Sequence, residues 1–307
     1  MRQVFCVLLA LVLALGLVCM GFAEADKPET FVSGDYEYIL LEDGSAEIVK
    51  YSGIEENPVI PPDIDGKKVT TIGNLAFFLC HYPTSVTIPD SVTRIGKDAF
   101  FGCKSLVSVA IPDSVTEIEN NPFGECSSLI EIVVSPDHPT LAVIDQVLFS
   151  KPDKRLVCHP CGLTATEYTI PQDVQIIADS AFSGCEFLTS VIIPDSVTSI
   201  GEWAFSSCRS LTSVTVPDSV ASIEYGAFAD CDSLTAISIP DSVTSIGERA
   251  FAGCLSLTSV TVPDSVTSIG KDAFSRCPAT LTVGKDSYAQ QYCIDNNLPY
   301  TCPNSKD

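Results

Sequence analysis

The chain has 307 residues and a formal net charge of −22, from 39 acidic and 17 basic side chains. A surface of this charge repels phosphate backbones and anionic lipid headgroups, which excludes nucleic acid as a partner. At this length a single compact core is near its practical limit, whereas a linear array of repeats escapes that limit by adding units.

The first 23 residues follow the plan of a secretory signal peptide. Arg2 precedes an apolar run from Val4 to Val18, and small residues two apart follow at Gly21 and Ala23. A membrane-spanning helix is the alternative, but the run is short for a bilayer and lacks a basic stop directly after it. The sequence therefore predicts cleavage of residues 1–23, no stable membrane insertion afterwards, and a mature protein that is secreted or held at the cell surface.

A 23-residue period runs through most of the remaining chain. Phenylalanine recurs on this period, and a cysteine follows each phenylalanine three residues later. The phenylalanines are Phe77, Phe100, Phe123, Phe182, Phe205, Phe228, Phe251 and Phe274, and the cysteines are Cys80, Cys103, Cys126, Cys185, Cys208, Cys231, Cys254 and Cys277. One unit of such a repeat cannot bury its apolar face alone, so neighbouring units stack. The sequence predicts a solenoid of about eight coils in register.

Within one coil the apolar residues alternate as in a short strand. Leu211, Val214 and Val216 point one way, and Pro217 ends the strand because proline cannot donate to a sheet hydrogen bond. An inward-facing valine and isoleucine follow, and then Ala-Phe fills the opposite side of the interior. Successive strands are expected to pair in parallel, about 4.8 Å apart, as a sheet on one face of the solenoid.

The run IPDSVTSIGxxAFxxCxSLTSV resembles the leucine-rich repeat of BspA-like bacterial surface proteins. The resemblance implies leucine-rich repeats at residues 71–134 and 170–277, an N-terminal β cap at 24–70, a β-hairpin insert at 135–169 and a short helical C-terminal cap at 278–307. Caps are also required physically, because end coils would otherwise expose an apolar face and unpaired strand edges.

The periodic cysteines are predicted to be reduced, structural thiols. Their fixed place three residues before the strand leucine is a core position, where cysteine serves as a small apolar residue and burial makes it inert. Parallel stacking also points all Cα–Cβ bonds the same way, which suits disulfide geometry poorly.

Two further pairs of cysteines lie off the period. Cys158 and Cys161 form a C-x-x-C sequence beside a histidine, a pattern typical of a metal or redox half-site. A local disulfide is the alternative, since no second C-x-x-C and no βαβ context are present. Cys293 and Cys302 are a second candidate disulfide in an oxidising compartment.

The sequence contains no motif for catalysis or for a cofactor. No nucleophile motif, H-E-x-x-H, Walker loop or G-x-G-x-x-G occurs. An array also repeats one surface, whereas a catalytic site needs several unlike groups to converge once. We therefore expect a non-enzymatic protein without a bound cofactor.

The remaining candidate for a functional site is a surface that contacts another molecule. Binding hot spots are enriched in Trp, Tyr and Arg, and Trp203, Tyr225 and Arg249 occupy variable positions before Ala-Phe on successive coils. We expect them to be neighbours on one edge; unselected variation at exposed positions is the alternative. The family resemblance implies adhesin-like binding of a protein or glycan. Two other functions stay open: an accessory or inhibitor module that binds a secreted enzyme, and a metal or redox role through Cys158 and Cys161.

Overall fold

The computed structural model describes residues 28–303, so the predicted signal peptide lies outside the described residues. The described chain begins with an antiparallel meander of β1 (Thr30–Ser33), β2 (Tyr36–Leu40) and β3 (Ala46–Tyr51). β4 (Asp63–Ile64) pairs antiparallel with β5 (Lys67–Ile72), and β3 pairs parallel with β5. The meander thereby covers the first edge of the parallel array.

Two parallel ladders run along the solenoid. The front sheet consists of three-residue strands, namely β6 (Ser85–Thr87), β8 (Ser108–Ala110), β10 (Glu131–Val133), β14 (Glu167–Thr169), β16 (Ser190–Ile192), β18 (Ser213–Thr215), β20 (Ala236–Ser238), β22 (Ser259–Thr261) and β24 (Thr280–Thr282). The back sheet consists largely of two-residue strands, namely β7 (Arg94–Ile95), β9 (Glu117–Ile118), β15 (Ile176–Ile177), β17 (Ser199–Ile200), β19 (Ser222–Ile223), β21 (Ser245–Ile246) and β23 (Ser268–Ile269). The predicted leucine-rich repeat solenoid is confirmed, and the back sheet adds a second ladder to the single one expected.

Register follows the sequence period, because pairing joins residues 23 positions apart, such as Ser213 with Ala236. The front sheet nevertheless falls into three segments, β6–β8–β10, β14–β16–β18–β20, and β22–β24 with a final strand. At the second interruption the neighbouring strands β20 and β22 stay in contact. The first interruption, between β10 and β14, coincides with the insert.

The phenylalanines form a stacked column in the core, which we call the aromatic column. Ring centroids of Phe205 and Phe228 lie 5.3 Å apart with planes 2° from parallel, and the other neighbouring pairs lie between 4.8 and 5.7 Å. Tyr51 extends the column at its start, 4.8 Å from Phe77, and Tyr292 packs edge-on against Phe274 at its end. The two caps thus cover the end rings with aromatic side chains of their own.

Each periodic cysteine reaches back to the coil before it. The thiol of Cys231 donates a hydrogen bond to the carbonyl oxygen of Phe205 at 3.1 Å, and the same 3.1 Å bond recurs at Cys208 and Cys254. Burial raises the pKa of the Cys231 thiol well above its usual value, so it stays protonated and able to donate. Cysteine therefore combines small apolar volume with a donor for a buried carbonyl.

The insert is built into the stack. It folds as an antiparallel hairpin of β11 (Leu141–Ile144) and β12 (Val147–Ser150), followed by β13 (Arg155–Cys158), which pairs parallel with β15. His159 then occupies the aromatic column: its ring stacks on Phe182 at 5.3 Å, and its backbone N–H donates to Ala181 O. The 23-residue period, counted back from Phe182, also reaches residue 159.

A buried and a partly buried polar side chain fasten the insert to the preceding coil. Nδ1 of His138 accepts hydrogen bonds from the backbone of Thr140 and Leu141, and its Nε2 lies 3.3 Å from Pro112 O. The guanidinium of Arg155 donates to the carbonyl oxygens of Ile118 and Glu119, where β9 has no following strand. The buried apolar residues accordingly form two clusters that meet at the insert.

The chain ends in a short helix and a strand. In α1 (Tyr288–Asp295), Ser287 is the N-cap and its side chain accepts from the backbone N–H of Gln290. β25 (Tyr300–Thr301) then pairs parallel with β24 and covers the far edge of the front sheet. Within residues 28–303, no helix has the length and apolar character needed to span a bilayer.

Candidate functional site

The corners that follow most of the back strands share a left-handed backbone conformation. The third residue after the strand isoleucine adopts the left-handed conformation, with φ between 55° and 59° in seven coils. These residues are Leu75, Asp98, Ser180, Trp203, Gly226, Arg249 and Asp272. Left-handed backbone costs a non-glycine residue on the order of 1 kcal/mol. Seven coils have this corner in spite of the cost. Its residues differ from coil to coil and form a row along one edge of the solenoid, which we call the turn edge.

The predicted contact residues gather around Trp203. The Trp203 and Tyr225 rings meet edge to face with centroids 4.8 Å apart. Trp203 and Arg249 occupy the left-handed position, whereas Tyr225 lies one residue earlier and Gly226 takes that position in its coil. Tyr225 was expected at the same position as the other two, and this placement is wrong by one residue.

Gly226 makes room for the indole. A Cβ atom at Gly226 would come within 2.3 Å of the Trp203 ring, and the glycine φ of 59° favours the absence of a side chain as well. The six-membered ring of the indole therefore lies against this glycine. Arg249 is exposed and lines, with Trp203 and Asp230, a pocket of about 420 Å³ on one side of the indole.

A larger groove, of about 570 Å³, lies on the other side of Trp203. Phe78 and Phe101 line it and stack on each other with ring centroids 5.9 Å apart. Sequence reasoning missed both, although a signal existed: they follow a column phenylalanine directly, where the other coils have glycine, serine or alanine. We call this site the aromatic groove. Its lining residues are Leu75, Phe78, Asp98, Phe101, Glu125, Ser180, Ser183, Trp203, Ser206, Ser207 and Asp230.

The groove joins coils that are distant in sequence. On the turn edge the coil before the insert contacts the coil after it, because Glu125 N–H donates to Ser183 O at 3.0 Å. The insert enters the stack only at the column and the sheets. Phe101 and Trp203 consequently line one surface, although the sequence places the insert between them.

The carboxyl group of Asp98, in the aromatic groove, has a shifted pKa and an oxygen without a partner within the described residues. Burial raises the pKa of its carboxyl to about 6, an effect that the Lys97 ammonium opposes and the Asp179 carboxylate strengthens. Its Oδ1 atom is buried and has no hydrogen-bond partner within the described residues. Lys97 instead bonds Asp179, with Nζ 3.0 Å from Oδ2. A buried carboxylate with an unused acceptor is costly for folding, and such groups cluster at functional sites.

The cysteines off the period are also free thiols, as are all the cysteines between residues 28 and 303. The Sγ atoms of Cys161 and Cys185 lie 2.8 Å apart. The disulfides Cys158–Cys161 and Cys293–Cys302, which would require oxidation of these thiols, stay predictions for an oxidising compartment. No three His, Cys, Asp or Glu side chains in the described part of the chain are arranged to hold a metal ion.

Comparison with known proteins agrees with this architecture. The family described as BspA type leucine rich repeat region matches six copies over residues 62–156 and 158–280. A leucine rich cell surface protein from Faecalibacterium prausnitzii is 28% identical with a TM-score of 0.55, covering 88% of this chain and 98% of that one. The pneumococcal vaccine antigen PcpA has a similar fold at 16% identity and a TM-score of 0.57, covering 90% and 99%. No curated protein matches the chain significantly.

Proposed function

Because this chain belongs to the BspA-type leucine-rich repeat family, we propose that it is a non-catalytic, adhesin-like protein that is secreted or held at the cell surface. Its ligand is a glycan or a protein bound outside the cell. The description of the Faecalibacterium prausnitzii relative as a cell surface protein supports the location. The net charge of −22 supports an extracellular ligand that is neutral or cationic.

The unpartnered carboxylate of Asp98 is the observation that carries the ligand site. It lines the aromatic groove with Phe78, Phe101 and Trp203, and the residue is only partly buried, so a donor on a ligand in the groove can reach its carboxylate. A ligand hydroxyl or amine would supply that donor and offset the cost of the buried charge.

A saccharide fits this chemistry best. Sugar rings have apolar C–H faces that pack on aromatic rings, and hydroxyl groups that donate to carboxylates. The groove offers both partners, because aromatic walls stand beside Asp98 and a second carboxylate, Glu125. Small serine side chains between the aromatic residues leave the floor open and add hydroxyl donors and acceptors.

The test is binding of the purified protein to an immobilised panel of glycans and matrix proteins. Trp203→Ala, Phe101→Ala and Asp98→Asn should each weaken capture of the recovered ligand by about tenfold or more, as expected for hot-spot residues. Phe187→Ala is the matched control, since Phe187 is exposed and lies outside the groove lining.

Each variant must keep the circular dichroism spectrum and the cooperative thermal unfolding of a folded array. Unchanged capture by all three groove variants refutes the site, and recovery of a secreted enzyme, with inhibition of its activity, identifies the inhibitor function instead. Failure to recover any glycan or extracellular protein refutes the adhesin-like function itself.

A further inference from the structure

The front sheet contains a gap at the insert. β10 pairs only with β8, and β14 pairs only with β16, so the facing edges of β10 and β14 have no partner within residues 28–303. A cleft of about 960 Å³ lies between them, lined by Ile130–Ile132 on one side and Gly162–Ala165 on the other. The hairpin residues Val143 and Gln146 close one wall of the cleft.

The two edges present complementary backbone groups. In an intact part of the sheet, Thr189 N–H donates to Thr166 O, and Thr189 O accepts from Thr212 N–H. Ile130 is the counterpart of Thr189 in the coil before the gap, and its carbonyl oxygen accepts no bond within the described residues. The N–H of Thr166, on the other side, donates none there. One extended segment between the edges would satisfy both groups, as a strand of the array does.

The side chains at the gap differ from those elsewhere on the front sheet. The first position of each front strand is serine, alanine or threonine, except in β10 and β14, where it is Glu131 and Glu167. Both carboxylates are exposed and neither forms an ion pair within residues 28–303. Because register aligns this position across the sheet, a residue inserted between the strands would have a glutamate on each side.

The size of the cleft also suits one strand. Five residues in β conformation are about 17 Å long, and strand and sheet spacings of about 4.8 and 10 Å give a volume near 800 Å³. The cleft volume of about 960 Å³ exceeds this value. Inward-facing residues of the segment would contact Ile132 and Leu163, so alternate apolar side chains are required.

We propose that the gap between β10 and β14 binds an extended peptide of a partner protein as an added parallel strand, with a lysine or arginine between Glu131 and Glu167. The two glutamates repel a second copy of this acidic chain and attract a cation. The site therefore selects a partner segment with a basic residue. This site is separate from the aromatic groove and does not depend on the glycan ligand.

The probe is a fluorescein-labelled peptide, Thr-Val-Lys-Val-Thr, blocked at both ends and titrated with purified protein while its anisotropy is followed. Glu131→Ser combined with Glu167→Ser restores the residue of the other coils, and should weaken binding of the peptide about threefold to tenfold, as two exposed ion pairs allow. For a peptide with serine in place of lysine, the double variant and the parent protein should have equal affinity.

Hydrogen bonding by the peptide backbone is tested separately, with N-methylated peptides. N-methylation of the valine before the lysine removes the donor that faces Ile130 O, and should abolish binding. N-methylation of the first threonine should not, because the N–H of its counterpart Leu188 donates within its own coil, to Cys185 O. Trp203→Ala should bind the peptide normally, which separates this site from the aromatic groove. Three results would overturn the proposal: no measurable binding at millimolar protein, equal affinity for lysine and glutamate peptides, or unchanged affinity for the peptide that is N-methylated at the valine before the lysine.

Discussion

His159 makes the stability of the protein depend on pH in a predictable way. Its imidazole is 2% exposed and stacked in the aromatic column, and burial lowers its pKa from 6.5 to about 4. The folded protein therefore keeps His159 neutral between these values, while the unfolded chain takes up a proton below pH 6.5. Stability is complete above pH 6.5 and falls as the pH decreases towards 4.

The size of the effect follows from the two pKa values. At 1.36 kcal/mol for each pH unit, the interval from 6.5 to about 4 amounts to roughly 3 kcal/mol. His159→Phe inserts the residue that the other coils have, and removes this titration. The variant minus parent difference in unfolding free energy should therefore rise by roughly 3 kcal/mol between pH 7.5 and pH 4.

The assay is urea denaturation followed by far-ultraviolet circular dichroism at half-unit steps from pH 4 to 7.5. Carboxylates titrate in both proteins and cancel in the difference, so the change isolates His159. His81→Gln, at an exposed histidine, is the control and should follow the parent at every pH. A parent and variant that differ by a constant amount over this range would refute the buried neutral imidazole.

Two substitutions and one reactivity measurement test the core and the groove. Phe205→Ala should cost about 3–5 kcal/mol in urea denaturation, because it empties a fully buried position between two stacked rings; a loss below 1 kcal/mol would contradict the column. Asp98→Asn should raise stability by about 1–3 kcal/mol at pH 7, since the raised carboxyl pKa of about 6 makes the ionised form costly. This gain should disappear below pH 4, where the parent carboxyl is protonated in both states; a gain equal at all pH values would refute the buried charge. Native protein should react with a chromogenic thiol reagent far more slowly than urea-unfolded protein, because burial raises the pKa of Cys208 and Cys231, and equal rates would contradict burial.

The period allowed most of the fold to be predicted, because identical spacing forces identical side chains into contact once the coils stack. It also contained the position of His159, 23 residues before Phe182, but a search for phenylalanine alone overlooked it. The site was harder to predict. Tyr225 was assigned one position too late, since Gly226 holds the left-handed corner in that coil.

The aromatic groove could not be predicted, because it depends on a contact between coils that the spacing of residues in the sequence does not show. Glu125 and Ser183 are neighbours on the turn edge because the insert leaves this edge and enters only the interior and the sheets. Where an insert enters a stack is decided by hydrogen bonds such as those of His138 and Arg155. These depend on three-dimensional packing, so Phe101 and Trp203 could not be assigned to one groove from their order in the sequence.

The division of the buried apolar residues into two clusters has a mechanical consequence. Tension applied to the two ends would reach a boundary at the insert, where guanidinium and imidazole bonds replace much of the strand pairing. We expect the halves to give way one after the other, as two separate extension steps in an optical trap. A protein tethered between two bodies would then release the unfolded length of one half while the other half stays folded.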